Sequence, residues 1–581
     1  MKNKVPDIES IRHSLAHLLA MAVLKKFPKA RLGIGPVIEN GFYYDFKLPE
    51  PISNSDLKEF EKTMRGLVHQ NLEFRGEKVT ALKAKKLFKD QPFKLELIKE
   101  FSKEKKQLTL YHTGDFTDLC RGGHVENTSE INPDGFKLTH TAGAYWRGDE
   151  KKPMLTRIYA VAFTNKNELE KYLAFLEEAK RRDHKKLGVE LDLFTFSELV
   201  GSGLPLWTPK GTILRDILDT EVWNLRRAYG YERVDIPHIT KKDLYEKSGH
   251  WDKFKDELFK ITTREGHIFA MKPMNCPHHT QIYARRQWSY RELPQRYAST
   301  TKVYRDEQTG ELSGLSRVRA ITQDDAHVFC RNSQVKEEIL KIWNIINTFY
   351  AQAGFSLSIR LSFSDPEHME KYLGTPQLWE KAEQELRTIV KEKNISAVEA
   401  IGEAAFYGPK IDFMARDSLG REWQVATIQL DMNLPERFDL FCINEQGEKE
   451  RIVMIHAAIM GSIERYLSIL IEHFAGAFPI WLAPVQVALI PVSEKFHAYA
   501  KEVFDTLHNH NIRVELNDAN ETLGKRIRTS EMQKIPYLLI LGEREQTARS
   551  IAVRKRDEGD KGAQPLETFL EMLKNEIENK K

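Results

Sequence analysis

The sequence predicts a multidomain chain of mixed α+β and α/β class, built around a central antiparallel sheet. Three observations predict it. The 581 residues give room for about four domains at roughly 150 residues each, every one large enough to bury a core. Between about 189 and 480, strand-like runs are separated by irregular hairpins with helices at the ends, the pattern of an antiparallel sheet in an α+β domain. From 481 onward strand and helix alternate, the pattern of a small α/β domain.

Composition narrows the class. Apolar residues make up 41% and charged residues 30%, with a net charge of +4. Those values exclude a disordered or collagen-like chain and leave any RNA-binding surface to local patches. No apolar run approaches the roughly 18 residues that a membrane span needs. Four cysteines, Cys120, Cys276, Cys330 and Cys442, are too few for a disulfide framework. They fit a reducing compartment such as the cytoplasm, where a cysteine that matters is a metal ligand or a catalytic group.

The first unit is expected over 1–165. Its opening stretch, MKNKVPDIESIRHSLAHLLAMAVLKKFP, is broken by His17 and lacks a small-residue cleavage site. It reads as a helix over 9–25 and not as a signal peptide. GPVIENGFYYDF (35–46) and LTRIYAVAF read as strands. A charged linker helix follows over 166–188, ending in a basic cluster and Gly188. The second unit opens with a helix at 211–230 carrying Leu214, Ile217, Leu218, Val222 and Leu225 on one stripe. Gly230 stops it, YERVDIP reads as a strand, and a long apolar helix is expected from about 458 to 473.

The chemistry-bearing residues lie in this second unit. There is no GxxxxGK[ST] loop and no strand–GxGxxG–helix, so ATP would have to be held another way. One candidate grip is Tyr304-Arg305-Asp306-Glu307, followed through a Gly-rich turn by Arg317 and by Thr322-Gln323-Asp324-Asp325-Ala326-His327. Strand, loop and strand would bring Arg305, Glu307 and Arg317 together, and a planar guanidinium suits phosphate. An isolated RxE is otherwise a surface ion pair. The second candidate is Gly461-Ser462-Ile463-Glu464-Arg465 at a helix start. Cys276, His327 and His456 each adjoin these segments. Singly each is a buried thiol or a core histidine, whereas together they would leave a tetrahedral Zn²⁺ one open position. In the first unit His13 and His17 share a helix face, and with Cys120 and His124 in DLCRGGHVENT they make a possible four-ligand set.

RDE, the GSIER helix and the helix–strand–Pro237 segment resemble motifs 2, 3 and 1 of class II aminoacyl-tRNA synthetases. SGHWDKFKDELF, MKPMNCP, TQDDAH, AFYGPKIDF, WQVATIQLD and GSIERY resemble the threonyl-tRNA synthetase family over nearly the whole chain. The resemblance implies an editing domain at 1–165, a catalytic domain at 189–480 and an anticodon-binding domain at 481–581. It implies one Zn²⁺ per subunit on Cys276, His327 and His456, which chelates the amino and hydroxyl groups of threonine, with Asp325 taking the hydroxyl hydrogen. Gln323, Gln424, Thr427, Tyr407 and Lys410 are implied in the substrate pocket. Arg305 is implied at the α-phosphate, Glu307 at the adenine amino group, and Arg317 and Arg465 at the tail phosphates with Mg²⁺. His250 and Gln429 are implied at the terminal ribose of tRNA(Thr).

The physical sense is that valine nearly copies the shape of threonine, so a site that reads the hydroxyl discriminates where an apolar pocket fails. Serine differs by one methyl, worth about 1–3 kcal/mol, so a second sieve is needed. His13, His17, Cys120, His124, Lys94 and Asp118 resemble such a proofreading site, in which no metal is obligatory. Arg528, Glu545 and Arg554 are implied in reading anticodon bases, which are reachable in single-stranded loops. A homodimer is implied too. The chain departs from the family at His278 (CPHH for CPGH), Ala457 (HAA for HRA) and Gly123 (CRGGH for CRGPH), and leaves no room before residue 1 for a ubiquitin-like domain. The rivals are a prolyl-tRNA synthetase, which the zinc triad and quartet disfavour; a free zinc hydrolase, which leaves 189–581 idle; and a non-catalytic RNA-binding paralogue, which would have lost some of these residues.

Overall fold

The computed structural model describes residues 7–149, 151–518 and 520–580; the MKNKVP segment of the signal-peptide question lies outside them. The chain forms two compact units, one up to Glu178 and one from Ala179. Among the described residues no helix is long and apolar enough to cross a membrane.

In the first unit the helix Ile8–Lys26 buries Leu15, Leu18, Leu19 and Val23. It packs on an antiparallel sheet ordered Arg31–Leu32, Gly41–Lys47, Met154–Ala162, Phe136–Tyr145. Alternation in Gly41–Lys47 sends Phe42, Tyr44 and Phe46 into that core. A separate sheet of Phe74–Val79, Leu108–Thr113 and Phe116–Leu119 carries Asp118 and leads into Cys120.

The second unit contains an eight-stranded sheet. Its order is Glu232–Arg233, Gln295–Tyr304, Ala320–Cys330, Val453–Ala458, Glu422–Asp431, Lys410–Arg416, Leu357–Phe363, Ala397–Ile401. The interior pairs are antiparallel, as expected, and the outermost pair at each edge is parallel. One face is covered by the helices Val335–Gln352 and Ile463–His473, whose Trp343, Tyr350 and Tyr466 are wholly buried. From Val487 on, a second sheet runs Val514–Leu516, Val487–Pro491, Tyr537–Leu541, Ser550–Lys555, Gly559–Pro565. Its first three strands are parallel and its last two antiparallel, consistent with the α/β expectation.

Four expectations are corrected. The charged helix of 166–188 is two helices, Lys166–Arg182 and His184–Glu190, because the Asp183 carboxylate accepts from Lys185 N and starts a new one. Gly188 is no stop: it lies inside the second helix, where a Cβ would sit 2.1 Å from the Phe194 ring. The helix expected from 458 begins at Ile463, since Val453–Ala458 is a buried strand, Gly461 turns at φ +72°, and Ser462 caps. A short apolar run has no period that separates a buried strand from a buried helix. YERVDIP pairs only at Glu232–Arg233.

Candidate active site

Strand register builds the site. His327 lies opposite His456 on the neighbouring strand, and His456 lies opposite Gln429 on the next. Cys276 opens the helix Cys276–Tyr283, which packs against the strand that carries His327. The Cys276 Sγ and one ring nitrogen from each histidine consequently lie within 4.8 Å of one another.

The hydrogen bonds around this triad orient it. His456 Nε2 is 2.8 Å from Asp431 Oδ2, so the ring hydrogen faces the carboxylate and the Nδ1 lone pair faces inward. His327 Nδ1 is 2.8 Å from His279 Nδ1, and His279 Nε2 is 3.2 Å from Ser299 Oγ. With His279 Nε2–H donating to the hydroxyl, His327 Nδ1–H donates to His279, and its Nε2 lone pair also points inward. The two inward nitrogens are 3.1 Å apart. Two lone pairs and a thiol sulfur aimed at one point, with outer partners fixing each ring, fit a Zn²⁺ ion. Burial holds the Cys276 thiol well above and the His327 imidazole well below their ordinary values, so both are neutral until a cation draws the thiol proton away.

The triad forms one wall of a cavity of about 480 Å³, also lined by Arg305, Glu307, Arg317, Gln323, Asp325, Tyr407, Gln424, Thr427, Gln429 and Arg465. Asp325 accepts from Asn275 Nδ2 at 3.0 Å, which leaves lone pairs for a ligand. Arg317 Nε donates to Glu307 at 2.8 Å. Arg465 follows Glu464, whose carboxylate takes Thr322 N and Oγ1, each at 2.7 Å, fastening the helix start to the sheet. Among the described residues no carboxylate pairs with Arg305 or Arg465. Arg305 Nε and Thr427 Oγ1 are buried with no partner at all, and such orphans call for a polar ligand.

Two residues expected here lie behind the lining. His250 lines no part of the cavity; its Nε2 is 3.6 Å from Cys276 Sγ, Nδ1 is 2.8 Å from Ser248 Oγ, and burial pulls it down to about 3. Lys410 Nζ pairs with the buried Asp412 at 3.3 Å and is also outside the lining.

A second constellation lies in the first unit. Cys120 Sγ is 3.2 Å from both His13 Nε2 and His124 Nε2, and these three with His17 form a single cluster. Beside it Lys94 Nζ meets Asp118 Oδ1 at 2.6 Å, both nearly fully buried, and Tyr44 donates to the other carboxylate oxygen. A cavity of about 460 Å³ opens onto His13, His17, Lys94, Asp118 and Cys120, whereas His124 stacks on Phe74 behind it.

Residues 259–474 match the family model of the tRNA synthetase class II core domain (G, H, P, S and T), 486–576 the anticodon binding domain, and 108–159 the threonyl and alanyl tRNA synthetase second additional domain. The threonine–tRNA ligase of Gloeobacter violaceus is 49% identical, covering 98% of this chain and 92% of its own length. That of Porphyromonas gingivalis is 48% identical over 98% and 87%. The chain belongs to the threonine–tRNA ligase family. A crystal structure of the RNA binding domain of threonyl-tRNA synthetase from Cryptosporidium parvum Iowa II is 36% identical, with a TM-score of 0.65 over 68% of this chain and 98% of that one.

The family resemblance supplied most lining residues but missed the groups that orient them. Asp431, His279, Asn275 and Glu464 take their orienting roles from the packing. In the anticodon-binding domain Glu545 accepts from Gly542 N at 2.9 Å, Arg554 Nε donates to Glu531 at 2.9 Å, and Arg528 is exposed on the helix Leu523–Met532. His278, the extra imidazole of Cys276-Pro277-His278-His279, is buried with neither ring nitrogen partnered.

Proposed function

We infer that the chain ligates L-threonine to tRNA(Thr) in two steps, through a threonyl-adenylate made with ATP, and clears Ser-tRNA(Thr) by hydrolysis. The observation that carries the first part is the convergence of Cys276, His327 and His456 beside Asp325, in one cavity with Arg305 and Arg465, which no carboxylate among the described residues pairs. Zn²⁺ held by the triad would supply a Lewis-acidic position for an amine and a hydroxyl, and Mg²⁺ would accompany ATP. Asp325 accepts the hydroxyl hydrogen of threonine; valine offers none and leaves the carboxylate unpaired. Arg305 grips the α-phosphate, Arg317 and Arg465 the outgoing phosphates, and Glu307 the adenine amino group, so the threonine carboxylate attacks a fixed, charge-neutralised centre. Tyr407, Gln323, Gln424, Thr427 and Gln429 shape the amino-acid end; Lys410 supports it through Asp412, and His250 supports the Cys276 wall.

In the first unit, Cys120 with His13, His17 and His124 binds the seryl end and positions a water, while Lys94 and Asp118 hold the pocket open. Arg528, Glu545 and Arg554 read anticodon bases. We assign 1–165 to editing, 166–188 to a linker, 189–480 to catalysis and 481–581 to anticodon binding. A homodimer and a cytoplasmic setting complete the reading, the latter on four unpaired thiols. Threonine-dependent exchange of labelled pyrophosphate into ATP tests it. Exchange with threonine but not with valine or proline is expected; its absence overturns the ligase reading.

A further inference from the structure

Outside both cavities, a buried imidazole stands among groups that the proposed chemistry does not use. His184 is 3% exposed; its Nδ1 is 2.6 Å from Glu472 Oε1 and its Nε2 accepts from Leu315 N at 3.1 Å. Asp183, His184 and Glu472 are close enough to suggest a metal cluster. Both ring nitrogens are already committed to protein partners, however, one donating to a carboxylate and one accepting from an amide, so the ring is a fastener.

What it fastens is the loop before the strand Ala320–Cys330. Gly314 has φ +50°, and a Cβ there would lie 2.3 Å from His184 Nε2; only glycine lets the loop close on the ring. Arg317 follows two residues after Leu315 and reaches the cavity. The other oxygen of Glu472 accepts from Arg421 Nη2. Arg421 Nε donates to Asp417 Oδ2 at 2.7 Å, which also accepts from Trp423 Nε1 at 2.9 Å. The Trp423 ring lies 5.9 Å from the Arg465 guanidinium carbon. One buried carboxylate thus ties the Arg317 loop and the Arg465 bed together.

We propose that His184 is a positioning residue for ATP, holding the 313–317 loop against Glu472 so that Arg317 meets the nucleotide phosphates. The proposal rests on the ligase reading above. Its test is threonine-dependent pyrophosphate exchange by the full chain, with KM for ATP and for threonine measured separately. His184→Ala is expected to raise KM for ATP about ten-fold, as an unsatisfied buried amide displaces the loop. KM for threonine and zinc content should stay within about two-fold, because the loop contact acts on the nucleotide end alone. His184→Gln, which keeps one donor and one acceptor, should recover most of the loss. If His184→Ala fails to fold, Gly314→Ala disturbs the same contact from the loop side and should give the same split. An unchanged KM for ATP, or equal shifts in both KM values, overturns the proposal while wild-type exchange stands. Wild-type protein without threonine-dependent exchange overturns the ligase reading itself, and this proposal with it.

Discussion

Asp431 and His456 meet across adjacent strands, Oδ2 to Nε2 at 2.8 Å, with the carboxylate wholly buried. The contact turns the His456 lone pair toward His327 and Cys276, and it adds negative charge behind a ligand. Asp431→Asn keeps the shape and removes the charge. Zinc affinity, measured by competition with a chromogenic chelator, is expected to fall about 10–100-fold. Wild-type affinity would show that the carboxylate does not tune the site.

Arg305 and Arg465 have no carboxylate partner among the described residues, so truncating either leaves no buried charge unpaired. Arg305→Ala and Arg465→Ala should therefore melt close to wild type, yet lose about 10²–10³ in kcat/KM for exchange. A comparable loss of stability would mean that these arginines hold the fold, not the nucleotide.

Cys120→Ala should leave threonine charging intact while Ser-tRNA(Thr) persists. A deacylation assay on preformed Ser-tRNA reads this directly, with at least a ten-fold slowing expected for removal of a group that positions the reacting water. Unchanged clearance would remove the quartet from proofreading.

Lys272 is fully buried, its ammonium donates to Thr301 at 2.9 Å, and burial lowers it from 10.5 to about 8. Because the folded value lies below the unfolded one, the unfolded chain binds more protons between the two. The destabilisation this group brings is therefore full below pH 8 and fades as pH rises toward 10.5. Lys272→Met should be more stable than the parent at pH 7 by up to about 3 kcal/mol, and the gain should shrink by pH 10. Denaturant melts at both pH values check it; a gain independent of pH would point to packing alone.

Leu199 is 100% exposed, and Val189 and Phe196 are 60% and 40% exposed nearby in sequence. Exposed large apolar side chains on one stretch suit a subunit interface. The chain should sediment as a dimer, and Leu199→Asp should shift it toward monomer at micromolar concentration; a wild-type monomer would reject the assignment.

Much of the site was legible as residue types and little of it as geometry. Helices with a clear apolar stripe, such as Pro209–Ala228, and glycine stops such as Gly230 followed from local pattern. The convergence of Cys276, His327 and His456 did not, because strand register pairs residues far apart in sequence and no spacing rule encodes it. Resemblance to known strings supplied it instead. Asp431 was within reach: alternation from Thr427 puts Thr427, Gln429 and Asp431 on one face of the strand. The polar helix Glu543–Ala548 and the strand Gly559–Pro565 are not legible in the sequence, because neither has an apolar period.

The triad draws its three members from a helix and two strands, and His456 belongs to a strand inserted between two others made before it. During synthesis the ribosome delivers Cys276 and His327 long before their third companion, so a chain halted ahead of His456 carries only two donors. Zn²⁺ held by the proposed triad would in this sense be a receipt for completed assembly: only a molecule whose central sheet has closed around its late-arriving strand would keep the ion against a chelator.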